Sequence, residues 1–590
     1  MNVTPAEETI MQKGHPKGLG VLFATEMWER FNFYGMRALL TLFLAKALLL
    51  GEQDASLIYG GFLGLSYLTP MLGGYISDKY LGNRNCIILG GLTMAIGQFL
   101  LFTSASTFAS NLDLAKTFMW LALLVIVFGN GFFKPNISSM VGQLYPVEQK
   151  SKLDSAFTIF YMGINVGALL GQTICPLLGD VETTTIVNGV ERTVRDLSAF
   201  KWGFLAAGIA MLLGTILFFI LKNKYVVSPS GEAIGGRPSR NNAVEQADQA
   251  KFTQKAVFTL IAMVIGFYFV FQFLSWDSTT MPMTGSGVAA YFKALALSPI
   301  KTYVYPFIYA SGLSLAIFIL SDKSLTKIET QRILVLYIVA FFVIFFWAAF
   351  EQAGSSLTFI ANNQTDRHIF GWNMPSSMVQ NFNGFFVIIF ALPFSALWLW
   401  LQRKNMEPIS PVKQALGLAL IALGYLIIAL QVKDLGTTGK LGVIWLIVLY
   451  LLHTWGELCL SPIGLSLVAK LAPRRFASLL MGVWFLSNAA GYALTGTLGA
   501  LLPPTTDKFT IAADKGINLQ SILDGQATPT AEQLTYLAQQ KIPIVYPTFA
   551  GFTIHNLFEF FMVFVILCGA ASVILYAITP ILKKMMHGVK

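Results

Sequence analysis

Charge is scarce in this 590-residue chain. Asp, Glu, Lys and Arg make up 12% of it, about half the roughly 25% of a soluble globular protein. Hydrophobic residues reach 55% and the mean hydropathy is +0.63. That deficit excludes the string of soluble domains that length alone would suggest at roughly 150 residues each. Only five histidines and four cysteines occur. Cys86, Cys175, Cys459 and Cys568 lie within or at the ends of apolar stretches, with neither metal-ligand spacing nor a secreted framework, and read as small buried hydrophobes. Neither His-Glu-x-x-His nor Gly-x-Ser-x-Gly is present, which argues against an intramembrane enzyme. The net charge of +10 comes from Lys and Arg scattered over short loops, so it reports membrane topology and no nucleic-acid partner. The polar stretch 1–17, with Glu7 and Glu8, is unlike a cleavable signal peptide.

What fills the chain is apolar sequence. Stretches long enough to cross a hydrocarbon core of about 30 Å, at about 20 helical residues each, recur about fourteen times. They fall approximately at 20–50, 56–78, 85–104, 115–144, 153–178 and 200–221, then 255–276 and 301–321, then 331–360, 376–402, 412–432, 441–470, 475–502 and 550–581. The predicted fold is all-α, a polytopic membrane protein lying in the lipid bilayer. The spans group as six, two and six, giving an N-terminal bundle over 1–224, a linker with two extra helices over 225–329 and a C-terminal bundle over 330–590. The two extra helices contain no Asp, Glu or Arg, and are expected to pack beside the bundles without lining a pathway. Lys17, Lys79, Arg84, Lys152, Lys222, Lys224, Arg403, Lys404, Lys470, Lys583 and Lys584 all fall on one side. By the positive-inside rule that side is cytoplasmic, so both termini are expected there, in an inner (plasma) membrane. The long segment 503–548 then faces outward and reads as a solvated loop.

Several charges sit where lipid penalises them. An ionisable side chain at mid-membrane costs at least about 2.5 to 3.5 kcal/mol on insertion scales, so each needs a partner or a wet cavity. The first span runs Glu26-Met27-Trp28-Glu29-Arg30-Phe31-Asn32-Phe33-Tyr34-Gly35-Met36-Arg37. At about 100° per residue its two acids and two bases share one face. Lys134, Glu351 and Glu457 lie deep in other spans. Arg37 and Lys134 belong to the N-terminal six helices and Glu351 and Glu457 to the C-terminal six. If the bundles face each other across a cavity, one wall is positive and the other negative, which suits a zwitterion. Asn165 and Asn383 are intramembrane amides, each able to donate and accept.

These residues resemble a known family. Gly73-Gly74-Tyr75-Ile76-Ser77-Asp78-Lys79-Tyr80-Leu81-Gly82-Asn83-Arg84 is similar to the loop signature of the major facilitator superfamily. The run from Glu26 to Gly35, Phe132-Phe133-Lys134-Pro135-Asn136 and Phe157 to Gly167 resemble the signatures of the proton-dependent oligopeptide transporters (POT), and the resemblance spans essentially the whole chain. It implies a symporter that imports di- and tripeptides with protons by alternating access, needs no cofactor beyond the coupling proton, and works as a monomer. It implies proton coupling for Glu26, Glu29, Arg30 and Glu351. It implies that Arg37 and Lys134 hold the peptide carboxylate and Glu457 the amino group, with Tyr34, Tyr67, Asn165 and Asn383 lining the site. The family motif usually has two tyrosines where this chain has Phe33 and Tyr34, and the second span has no His, so the histidine coupling of the animal relatives does not transfer. A facilitator for another small anion or zwitterion (nitrate, an amino acid, a drug-like molecule) and a peptide receptor that does not transport are the competing readings.

Overall fold

The computed structural model describes residues 14–145, 152–187, 190–228, 231–237, 253–278, 281–437 and 439–589. Part of the expected linker lies outside these described residues. Fourteen long helices carry the chain. The first six are α1 (Lys17–Leu42), α2 (Glu52–Ile76), α3 (Asn83–Thr107), α4 (Leu112–Gln143), α5 (Leu153–Gly179) and α6 (Phe200–Tyr225). Two more follow, α7 (Gln254–Ser275) and α8 (Tyr305–Leu320). The last six are α9 (Lys327–Phe350), α10 (Asn381–Arg403), α11 (Ser410–Val432), α12 (Val443–Leu471), α13 (Ala477–Gly499) and α14 (Leu557–Met585). Among the described residues twelve helical segments are long and apolar enough to cross a membrane. The charged α1 and the 23-residue α13 are not among these twelve, against the fourteen spans expected.

Local signals set the boundaries. Pro16, which cannot lie inside a helix without losing a hydrogen bond, precedes α1. Asn111 caps α4 by accepting from the Leu114 N–H. Thr326 and Glu329 form a reciprocal capping box at the start of α9, a device that satisfies two orphan N–H groups at once.

The chain divides into two compact units. One comprises Met1–Leu48 and Leu68–Val244, the other Leu49–Tyr67 and Glu245–Lys590, so α2 is shared, its second half falling in the former and its first half in the latter. The first unit has a core of Leu22, Ile87, Phe133, Ile137, Met211 and Phe218, all fully buried. Thr69 donates to the Val127 carbonyl at 2.9 Å, tying the second half of α2 to α4. Arg84 donates to the Val226 carbonyl and, at 2.9 Å, to Asn223 Oδ1, so the loop signature is fastened to the end of α6. A hairpin of β1 (Glu182–Val187) and β2 (Val190–Arg195) follows α5. Arg195 meets Asp180 and Glu182 at 2.7 Å each at its base.

The second unit departs from expectation at 503–548. This segment is not a solvated loop. Three short helices, Thr506–Ala513, Leu519–Leu523 and Ala531–Gln539, close over a small core of Ala512, Ile517, Leu519, Ile522, Leu523, Leu537 and Ile542. Glu52 holds the lobe at its edge: it accepts from Asn363 Nδ2 at 2.9 Å and lies 3.6 Å from Lys508 Nζ. Burial alone would lower the Lys508 pKa, but Glu52 and Asp507 outweigh it and keep the ammonium above the ordinary lysine value.

Candidate functional site: buried ionisable groups in two helical units

In the first unit the site is built on α1, and α5 determines how closely α1 packs. A Cβ at Gly167 would lie 2.1 Å from the Met27 carbonyl oxygen, and one at Gly171 would lie 2.3 Å from that of Phe31. Small residues four apart let two helix backbones touch. Arg30 Nε is 2.7 Å from Glu26 Oε1 and 2.8 Å from Glu29 Oε2, and all three side chains are buried. Lys134 of α4 acts electrostatically on Glu29. Glu26, Glu29 and Arg30 form one buried cluster, and the charge of the half-buried Lys134 acts on it. It is under-satisfied: Glu26 Oε2 and Glu29 Oε1 have no hydrogen-bond partner among the described residues. A proton arriving at either acid would weaken its hold on Arg30.

Further along α1, the Arg37 guanidinium carbon lies 4.8 Å from the centre of the Tyr34 ring, within cation–π range. Arg37 is buried and Tyr34 half-buried. Phe33 is buried edge-on to the Tyr34 ring at 5.8 Å. Asn165 of α5 turns its amide nitrogen back to the Tyr161 carbonyl at 2.9 Å.

In the second unit Glu351 and Glu457 each meet a neutral donor. Glu351 opens the short 3₁₀ turn Glu351–Gly354 that breaks the helix after α9, and it is buried. Tyr59 Oη donates to Glu351 Oε2 at 3.2 Å. Glu457, half-buried on α12, accepts from Asn383 Nδ2 of α10 at 3.0 Å, and the same amide nitrogen is 3.0 Å from Thr454 Oγ1. Tyr67 packs edge-on to Tyr492 at 4.7 Å, and Tyr492 packs in turn on Trp347 at 5.8 Å.

The structure thus unites Glu26, Glu29 and Arg30 in one buried cluster, Tyr34 with Arg37, and Asn383 with Glu457. Sequence reasoning missed Tyr59, Thr454 and Asn32. Asn32 is fully buried one turn beyond Glu29, and neither atom of its amide meets a partner among the described residues. Its signal was available: a buried amide costs free energy unless satisfied, and Asn32 is three residues from Glu29. No such signal marked Tyr59, since a tyrosine in an apolar span reads as packing.

A model described as the POT family matches residues 84–517 of this chain. A peptide transporter of Yersinia enterocolitica is 32% identical over 84% of this chain and 89% of its own length. A di-/tripeptide transporter of Lactococcus lactis is 30% identical over 88% of this chain and 97% of its own. Among solved structures, a POT family transporter in complex with a thioalcohol-conjugated peptide superimposes with a TM-score of 0.69 at 26% identity, covering 98% of this chain and 99% of that one.

Proposed function

The chain belongs to the POT family, and from that premise we propose that it is a proton-coupled symporter importing di- and tripeptides by alternating access. The observation that carries this reading is the buried cluster of Glu26, Glu29 and Arg30, on which the half-buried Lys134 acts through its charge. Four ionisable groups in apolar helices are costly to maintain, and a set balanced between acids and bases can exchange partners when a proton binds. We assign proton coupling to Glu26, Glu29, Arg30 and Glu351. The peptide carboxylate goes to Arg37 and Lys134 and the peptide ammonium to Glu457. Tyr34, Tyr67, Asn165 and Asn383 line the site, with the hydrogen bond from Asn383 orienting Glu457. Carrying one charge through the membrane field yields about 2.3 kcal/mol per 100 mV, so a co-moving proton can drive a zwitterionic peptide uphill.

By the positive-inside rule the loop lysines and arginines favour both termini in the cytoplasm of a cell whose inner membrane holds the protein. The functional division is two six-helix bundles, over 1–224 and 330–590, with 225–329 as an accessory pair, and one chain is the transport unit. The test is reconstitution in proteoliposomes with dialanine. Uptake should follow an imposed inward proton gradient, and preloaded dialanine should exchange with labelled dialanine outside. Binding without counterflow would make the protein a receptor, and uptake that ignores a proton gradient would remove the coupling.

A further inference from the structure

The accessory helices α7 and α8 have no part in that scheme, yet α8 reaches the stretch of α2 that carries Tyr59. Tyr305, at the start of α8, is buried and donates Oη to the Leu57 carbonyl of α2 at 2.8 Å. Its hydroxyl occupies the space a side chain at position 496 would need: a Cβ on Gly496 would lie 2.0 Å away. Two isoleucines make the seat deeper. Ile300, in the π-helical turn Ile300–Val304 before α8, and Ile308, one turn into it, fill notches over Gly61 and Gly64. Cβ atoms at those glycines would lie 2.8 Å and 2.6 Å from the isoleucine side chains. Behind this face the buried Gln272 of α7 donates to the Thr302 carbonyl at 3.2 Å, so the accessory pair bears on α2 as one piece.

The seated stretch carries Tyr59, two residues beyond Leu57. Its hydroxyl bonds Glu351 at 3.2 Å and stands against the backbone of the turn that Glu351 opens, 2.0 Å from where a Cβ on Gly354 would be. A slide or rotation of α2 of a few tenths of an ångström would therefore break that bond or drive the hydroxyl into the turn. Three contacts from the accessory pair fix both coordinates within two helical turns of Tyr59.

We infer that Tyr305 is a positioning residue for proton coupling: the accessory pair holds the first half of α2 in register so that Tyr59 hydrogen-bonds Glu351. The inference rests on the function proposed above. It gives the two extra helices a role outside the pathway.

The experiment compares gradient-driven dialanine uptake with dialanine counterflow in proteoliposomes of the full chain. Tyr305→Phe keeps the ring and removes one hydrogen bond of modest strength, so driven uptake should fall about five-fold while counterflow stays within about two-fold. Tyr59→Phe should show the same split. The double variant should be no worse than Tyr59→Phe alone, because residues acting through one another are non-additive. If Tyr305→Phe does not reach the membrane, Ile308→Ala, which empties the notch over Gly64 and leaves the Tyr305 hydroxyl, should give the same split. Proportional loss of uptake and counterflow, or a double variant as weak as the product of the singles, would overturn the inference. Absence of both activities in the unaltered protein would instead strike the proposed function.

Discussion

The two units hold their buried acids differently. On α1, Glu26 and Glu29 meet Arg30 directly, with Lys134 bearing on Glu29. In the second unit a phenol donates to Glu351 and an amide to Glu457. Removing a base from the first arrangement leaves buried carboxylates facing one another. Removing a neutral donor from the second weakens one hydrogen bond and leaves the charge pattern intact. Glu26 and Glu29 are therefore sensitive to loss of the base they share, and Glu351 and Glu457 can be tuned through the neutral donor beside each.

The largest effect should come from breaking the first arrangement. Arg30→Gln removes the base that Glu26 and Glu29 share, and loss of one partner from a buried ionic cluster costs about 3 to 5 kcal/mol. The melting temperature in detergent should drop further than for Glu457→Gln, Asn383→Leu or Lys508→Met. A variant that melts like the parent would mean that the network contributes little to the fold.

Next comes Glu457→Gln. If a peptide ammonium pairs with this carboxylate, free dipeptides should bind weaker by orders of magnitude, again from the roughly 3 to 5 kcal/mol of an uncompensated charge. N-acetylated dipeptides, which bring no ammonium, should lose much less. Equal weakening of acetylated and free dipeptides, read by a binding assay, would refute the assigned orientation. Arg37→Ala should give the mirror pattern, sparing carboxyl-amidated peptides.

Asn383→Leu sharpens the comparison at lower cost. It removes the donor to Glu457 and spares the charge, so affinity for dialanine should fall about tenfold, near the low end of the roughly 1.5 to 3 kcal/mol for a hydrogen bond to a charged group. A loss as large as that of Glu457→Gln would show that Asn383 contacts the peptide itself. Smallest of all, Lys508→Met in the outer lobe removes one partner of Glu52 while the Asn363 bond remains. A melting shift of a few degrees is expected, with dialanine affinity unchanged, and changed affinity would tie the lobe to the binding site.

Much of this was legible in the chain. Helical spacing alone put Glu26, Glu29, Arg30, Tyr34 and Arg37 on one face of α1, because a helix fixes the relation between neighbours three and four apart. The positions of most of the long helices followed from apolar length. Pairings between distant helices were not legible: that Asn383 reaches Glu457, or that Tyr59 reaches Glu351 across 292 positions, depends on packing that no local pattern encodes. The outer lobe was misread because Asp, Lys, Gln and Thr dominate its composition. Its signals were there in Thr530 and Gln533, a capping box, and in Leu534 and Leu537, one helical turn apart. The first half of α2 was assigned with its neighbours in sequence, while its glycines at 61 and 64 accept α8.

The central claim is that a proton taken up on a buried acid drives the peptide, and Glu351→Gln tests it most directly. Glutamine keeps the shape and a hydrogen-bonding group but cannot titrate. Proteoliposomes carrying this variant should be assayed side by side for dialanine uptake under an inward proton gradient and for dialanine counterflow without one. The account predicts that gradient-driven accumulation falls to the level of passive equilibration while counterflow continues near the parental rate; driven accumulation retained in full alongside counterflow would contradict it.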